Sequence, residues 1–187
     1  MNKPKGSIHM KKQNFPLIMV HIALMLGSLV FYLVCNSNAT GGAANFIDIM
    51  LTVIAYICGV LYLVFGFKKE YAIFYKLFMI ALLAETVFSI VRNFIAGGHP
   101  SIFMLVIDII TLVMIVLLAF VKDTGRTKAI LFAIVLIICK LVPTIIAIVQ
   151  SHDLAEISRS VAGFLLAGTT AILVTEKYLD KADRGTN

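Results

Sequence analysis

Six apolar runs divide this chain, and they constrain its fold more than any other feature. They cover Pro16 to Cys35, Phe46 to Phe67, Tyr71 to Ala96, Ser101 to Val121, Thr127 to Gln150 and Leu154 to Tyr178, each 20 to 26 residues long. About 20 apolar residues are needed for a helix to cross a bilayer, so every run is long enough to span with some tilt. The connections are short and rich in turn formers: Asn36-Ser37-Asn38 with Gly41-Gly42, Gly97-Gly98-His99-Pro100, Asp123-Thr124-Gly125 and Ser151-His152-Asp153. Short connections make successive helices antiparallel neighbours. The fold class expected is an all-α integral membrane protein. Six transmembrane helices form three antiparallel hairpins in one domain over residues 1–187. A basic tail (residues 1–15) precedes them and a polar tail (residues 179–187) follows.

Composition supports this reading. The chain is 60% hydrophobic and only 14% charged, with a mean hydropathy of +0.99. A soluble domain would need more polar surface than this, and a disordered segment or disulfide scaffold has a different signature. Cys35, Cys58 and Cys139 are widely separated and form no CxxC, which argues against a redox pair or a metal cluster. The first run exceeds the 7–15 residues of a signal-peptide core, so it is read as a retained span.

Charge orients the bundle. The net charge is +6, and thirteen of the sixteen basic residues flank the runs on alternate sides. Lys3, Lys5, Lys11 and Lys12 precede the first run. Lys68, Lys69 and Lys76 follow the second, Lys122, Arg126 and Lys128 follow the fourth, and Lys177, Lys181 and Arg184 close the last. The intervening loops at 36–45, 97–100 and 151–153 hold no Lys or Arg. By the positive-inside rule both termini are cytoplasmic. The basic excess thus reads as a topology signal, with no nucleic acid as partner. A multi-pass protein of the cell membrane, in a bacterial inner membrane, is the expected location, with the lipid bilayer as its first partner.

The remaining charges lie inside the runs, where an ionisable group is costly unless paired or wetted. Arg92 stands roughly 7 Å inward from the outer end of the third helix, and Asp108 roughly 10 Å inward on the fourth. Their depths suggest an Arg92–Asp108 pair. Glu85 lies roughly 18 Å in, near the midplane, and Lys140 roughly 14 Å down the fifth helix, within reach of Glu85 or Asp108. Asp48, Glu156 and Arg159 fall nearer the rim and read as interface residues, with Asp153 in the adjoining loop. Helical spacing gathers these groups into stripes: Glu85, Ser89, Arg92 and Asn93; Asp48, Thr52 and Tyr56; Lys140 and Thr144 flanking Pro143; Glu156, Arg159, Ser160 and Gly163. His21 stands alone on the first helix as a polar group between helices. Ile47-Asp48-Ile49 and Ile107-Asp108-Ile109 hint at a repeated hairpin.

No HExxH, GxSxG or phosphate-binding glycine loop occurs, so an enzyme is not expected, nor a cofactor, and no catalytic or metal-binding residue is assigned. The expected activity is binding or transport of a small polar solute, or of protons, through an outward-open pocket. Glu85, Arg92, Asp108 and Lys140 are the solute-binding candidates. The alternative is a non-transporting scaffold, assembly or stress-response subunit whose buried ion pairs are structural. In size, helix number and cytoplasmic termini the chain resembles the substrate-binding S components of energy-coupling-factor vitamin transporters. That resemblance implies partner membrane subunits and an ATPase. The AxxxA pair those proteins carry on their first helix has as its nearest counterpart Ala23-Leu24-Met25-Leu26-Gly27.

Overall fold

The computed structural model describes residues 15–37, 42–65, 72–95, 102–120 and 126–184. These form six helices: α1 (Phe15–Ser37), α2 (Gly42–Phe65), α3 (Ala72–Ile95), α4 (Ile102–Phe120), α5 (Arg126–Gln150) and α6 (Leu154–Arg184). All six are long and apolar enough to cross a membrane, and α6 has the lowest mean hydropathy of the set, 1.6 over its span. This is the make-up of a multi-pass membrane protein. The basic tail before Phe15, the loop lysines Lys68 and Lys69, Tyr71, Lys122, and the Gly97 to Pro100 turn lie outside the described residues.

Each helix packs on its neighbours in sequence, and α6 returns to α1, closing a ring; α6 also touches α2. The outward faces are large apolar side chains, among them Leu17, Val30, Phe46, Ile102, Ile138 and Val149. So many large apolar side chains on one continuous outer surface suit contact with lipid. The inward faces meet in a core that includes Met25, Tyr32, Tyr56, Phe78, Ile115, Leu136 and Leu166, each fully buried. With lipid outside as apolar as the core, cohesion comes from close packing and interhelical hydrogen bonds.

Small residues set two of the seams. Ala55 and Gly59 bring α2 against α3, where a Cβ on Gly59 would stand 3.0 Å from the Phe78 ring. On α6, Ala162, Gly163, Ala167 and Gly168 admit their neighbours, and a Cβ on Gly168 would stand 3.0 Å from His21 of α1. Ala23 and Gly27 of α1 are different. Both are exposed, and nothing lies within 4 Å of a Cβ built on Gly27.

Side-chain bonds then tie the ring. Ser28 of α1 donates to the Tyr56 hydroxyl (2.6 Å), which donates to the Ala162 carbonyl of α6 (3.2 Å). Thr144 on α5 sits between the carbonyls of Lys140 (2.7 Å) and Ser160 (3.0 Å). His21, read as a polar group between helices, meets Thr169 of α6 at 2.9 Å. The Thr169 hydroxyl also lies 3.0 Å from the Leu165 carbonyl and 3.1 Å from the Met25 sulfur. Tyr56→Phe should cost about 1–3 kcal/mol, because it takes from the buried Ser28 hydroxyl its acceptor and removes the bond that joins α2 to the Ala162 carbonyl of α6. Thermal unfolding of the purified chain in detergent measures this; a variant melting with the wild type would show that neither group needs the phenol.

Two acidic residues of the sequence are accounted for by local structure. The Asp153 carboxylate accepts from the Ala155 amide (2.9 Å), capping α6. Glu156, in the first turn of α6, accepts from the Ser151 hydroxyl (2.7 Å). An acid at that end also suits the helix dipole.

Candidate functional site

The polar interior has two parts, and the first is centred on Asp48. Asp48 is the seventh residue of α2 and 1% exposed. One of its carboxylate oxygens, Oδ2, accepts from Arg92 of α3 (2.5 Å), Arg159 of α6 (3.0 Å) and the Tyr32 hydroxyl of α1 (3.3 Å). Arg159 also donates to the Asn36 side-chain oxygen (2.9 Å). The Asn36 amide donates in turn to the Ser158 hydroxyl (3.0 Å) and the Tyr32 carbonyl (2.9 Å), while Asn45 donates to the Asn36 carbonyl (3.2 Å). The C-terminal ends of α1 and α3 and the N-terminal ends of α2 and α6 therefore meet at one end of the ring.

This arrangement corrects two expectations. Arg92 pairs with Asp48 and not with Asp108. Asp48 and Arg159 are also more than rim residues, since they join four helices. Both aspartates occupy the seventh position of helices that flank α3. The α2 seam is the tighter one because of Ala55 and Gly59, so Asp48 is the carboxylate that reaches Arg92. Asn36, expected in a loop, is a fully buried residue of α1. The Ile-Asp-Ile motifs consequently have different surroundings: Asp48 holds two arginines, and Asp108 holds neither within 4 Å.

The second part involves α3, α4 and α5, which contribute Glu85, Asp108 and Lys140; Asp108 is level with Asp48, while Glu85 and Lys140 lie further along their helices from this end. Glu85 sits on the inward stripe Phe78, Leu82, Glu85, Ser89 and Arg92, and is buried. Its nearest donor is the Thr86 hydroxyl at 3.5 Å, but that proton is directed at the Leu82 carbonyl (2.9 Å). Lys140 shares the inward stripe of α5 with Ala133, Leu136, Thr144 and Ala147. Its aliphatic stem lies along α6, 3.7 Å from where a Gly163 Cβ would stand. Lys140 and Arg92 both attract Glu85 and Asp108 through space. Among the described residues, however, no ion pair within 4 Å joins Glu85, Asp108 or Lys140 to an opposite charge.

Thus the four predicted solute-binding residues share one electrostatic neighbourhood without direct bonds among them. Arg92 belongs to both parts, held by Asp48 while acting on Glu85 and Asp108. An open groove of about 420 Å³ runs between α2 and α3, but it is apolar, lined by Leu51, Ile80, Leu83, Ala84, Val87, Phe88 and Val91. None of the four residues lines it.

Asp48, Arg159 and Asn36 are the polar residues whose importance the sequence understated. Their signal was present as stripes on α2 and α6, Asp48-Thr52-Tyr56 and Arg159-Gly163, but only the closure of α6 on α1 and α2 turns those stripes toward each other. No protein-family model, curated protein or solved structure matches this chain.

Proposed function

We propose that this is a multi-pass membrane protein that binds, and passes, a small polar solute or protons at a site lined by Glu85, Arg92, Asp108 and Lys140. The observation that carries the reading is the second set of charges. Three ionisable side chains from three helices, Glu85 buried and Asp108 and Lys140 half-buried, lie in electrostatic reach, none within 4 Å of an opposite charge among the described residues. Charges placed so in hydrocarbon are costly unless water or a polar guest solvates them. Two acids beside two bases suit a zwitterion, a weak acid or a proton better than a simple cation. In this reading the helices form three antiparallel hairpins with both termini cytoplasmic, and the Asp48 end faces outward. The protein is non-enzymatic, resides in a bacterial inner membrane, and works alone or with partner subunits such as an ATPase.

The second reading, a scaffold or assembly subunit, is favoured by the Asp48 cluster. There each charge has a direct partner, and four helices are locked by it. It accounts less well for Glu85, which has no such partner.

Native mass spectrometry of the chain, purified gently from its own membrane, separates the two. The wild type is expected to carry a small polar molecule that Glu85→Gln loses, with binding reduced at least about tenfold, the loss of a single charged contact worth about 1.4 kcal/mol or more. A wild type carrying only lipid, with the same bound masses in Glu85→Gln, would transfer the assignment to the scaffold.

A further inference from the structure

We infer that Arg92 and Arg159 form an oxyanion-binding site at the Asp48 end of the ring, taking a carboxylate or phosphate group. The argument is a charge and donor balance. Two guanidinium groups converge on one carboxylate oxygen, Asp48 Oδ2, at 2.5 and 3.0 Å. Asp48 is the one carboxylate bonded directly to either guanidinium among the described residues, and both share it. Each guanidinium presents five N–H donors. Among the described residues Arg92 directs Nη1 at Asp48, and Arg159 directs Nε at Asp48 and Nη2 at Asn36. Their other N–H groups have no partner among those residues. Neither group is sealed in: the side chains of Arg92 and Arg159 are 18% and 29% exposed, while Asp48 is 1% exposed.

A structural lock between one acid and one base would be neutral and enclosed. Here a buried acid instead holds two like charges side by side on side chains that are partly exposed. Asn36 and Tyr32 support this geometry from behind, since both are fully buried and bonded within the cluster. A second anion would take up the remaining N–H groups. Guanidinium pairs match the planar oxygens of carboxylates and the tetrahedral oxygens of phosphates, and do so most strongly where water is scarce. Two sources supply such a group: a free solute, or the phosphate of a lipid headgroup at the end of the helices. The site shares Arg92 with the solute site proposed above but does not depend on Glu85.

The test uses the full chain in phosphatidylcholine nanodiscs. Inorganic phosphate, against chloride at equal ionic strength, is expected to raise the melting temperature of the wild type saturably by about 3 °C. In parallel, nanodiscs containing phosphatidylglycerol are read by native mass spectrometry for retained lipid. A phosphate response identifies a free oxyanion. Retention of phosphatidylglycerol without a phosphate response identifies a headgroup. Either effect should vanish in Arg159→Gln and persist in part in Arg159→Lys; a Glu85→Gln chain that loses its bound small molecule yet still responds to phosphate or retains phosphatidylglycerol separates this site from the other one. Arg159→Gln leaves Asp48 paired with Arg92, and its melting temperature without added anion checks that it folds; should it fail that check, Arg92→Lys against the wild type provides the comparison. If neither phosphate nor phosphatidylglycerol distinguishes the wild type from the arginine variants, the site does not exist.

Discussion

Replacing Asp48 with alanine is expected to destabilise the protein by about 3–5 kcal/mol, the range for removing one partner of a buried ion pair. The reason lies in what remains. Arg92 and Arg159 would face each other across the end of the ring without their shared acceptor, and the Tyr32 hydroxyl would lose the same oxygen. Two guanidiniums without their shared counter-charge repel, and their partial exposure offsets only part of that cost in an apolar bundle. Asp48→Asn should fall between, since an amide oxygen still accepts but no longer offsets charge. The double variant Asp48→Ala with Arg159→Leu should recover part of the loss, because it removes one of the stranded charges along with the acid. Thermal unfolding in detergent, with the three variants side by side, measures the series. An Asp48→Ala chain that melts with the wild type would mean that the arginines find other partners at no cost.

The second large effect is expected at Gly59, where Gly59→Val should cost about 1–3 kcal/mol through overpacking. A Cβ there would meet Phe78 Cε2 at 3.0 Å, Phe78 Cδ2 at 3.2 Å and the Met25 methyl at 3.3 Å. Phe78 and Met25 are both fully buried, so neither has room to retreat. The methyls of valine would force α2 away from α3 along the seam that brings Asp48 to Arg92. Gly27→Val provides the contrast, because nothing lies within 4 Å of a Cβ at Gly27 and the position is exposed. Its melting temperature should stay near that of the wild type, and equal losses at the two glycines would refute the packing argument. The pair also probes where helix contacts are made within the chain. Gly59 is used by α3, whereas the small-residue face of α1 at Ala23 and Gly27 is left uncovered by the other helices.

Six helices were legible because their signal is long and redundant. Each apolar run carries about 20 residues of evidence, and every one corresponds to an observed helix within a few residues at its ends. The stripes were legible for a similar reason, since a period of 3.6 places Glu85, Ser89 and Arg92 on one face wherever the helix sits. What the sequence left open was rotation and neighbourhood. A rise of 1.5 Å per residue set Arg92 near the depth of Asp108 and left Asp48 nearer the rim, because the second run was begun at Phe46; the helix begins at Gly42, and the two aspartates then tie on depth. Choosing between them needs the distance between helix axes, which depends on Gly59 and Ala55 packing under Phe78. Depth also misled about Asp48 and Arg159. A charge near a helix end looks cheap when water is assumed beside it, yet Asp48 is more thoroughly buried than Glu85 at the midplane. Glu85, Asp108 and Lys140 were singled out as costly charges on three helices, and their solute role rests on the proposal above. Asn36 was missed because an Asn-Ser-Asn sequence reads as a turn, and only its bonds to Ser158 and Arg159 keep it helical and enclosed.

The position of α6 has a consequence for how the protein is made. Arg159 and Ser158 serve Asp48 and Asn36, the Ala162 carbonyl serves Tyr56, Thr169 serves His21, and the Ser160 carbonyl serves Thr144. All of these acceptors and donors come from the helix synthesised after the other five. When the first five helices have left the ribosome without α6, these polar groups still await their partners there. Those groups must remain with water or with the insertion machinery until α6 arrives, because lipid offers them nothing. Closure of the ring is thereby timed by α6. A nascent chain that stalls short of Leu154 would present an open polar flank, the kind of surface by which membrane quality control distinguishes an unfinished bundle from a closed one.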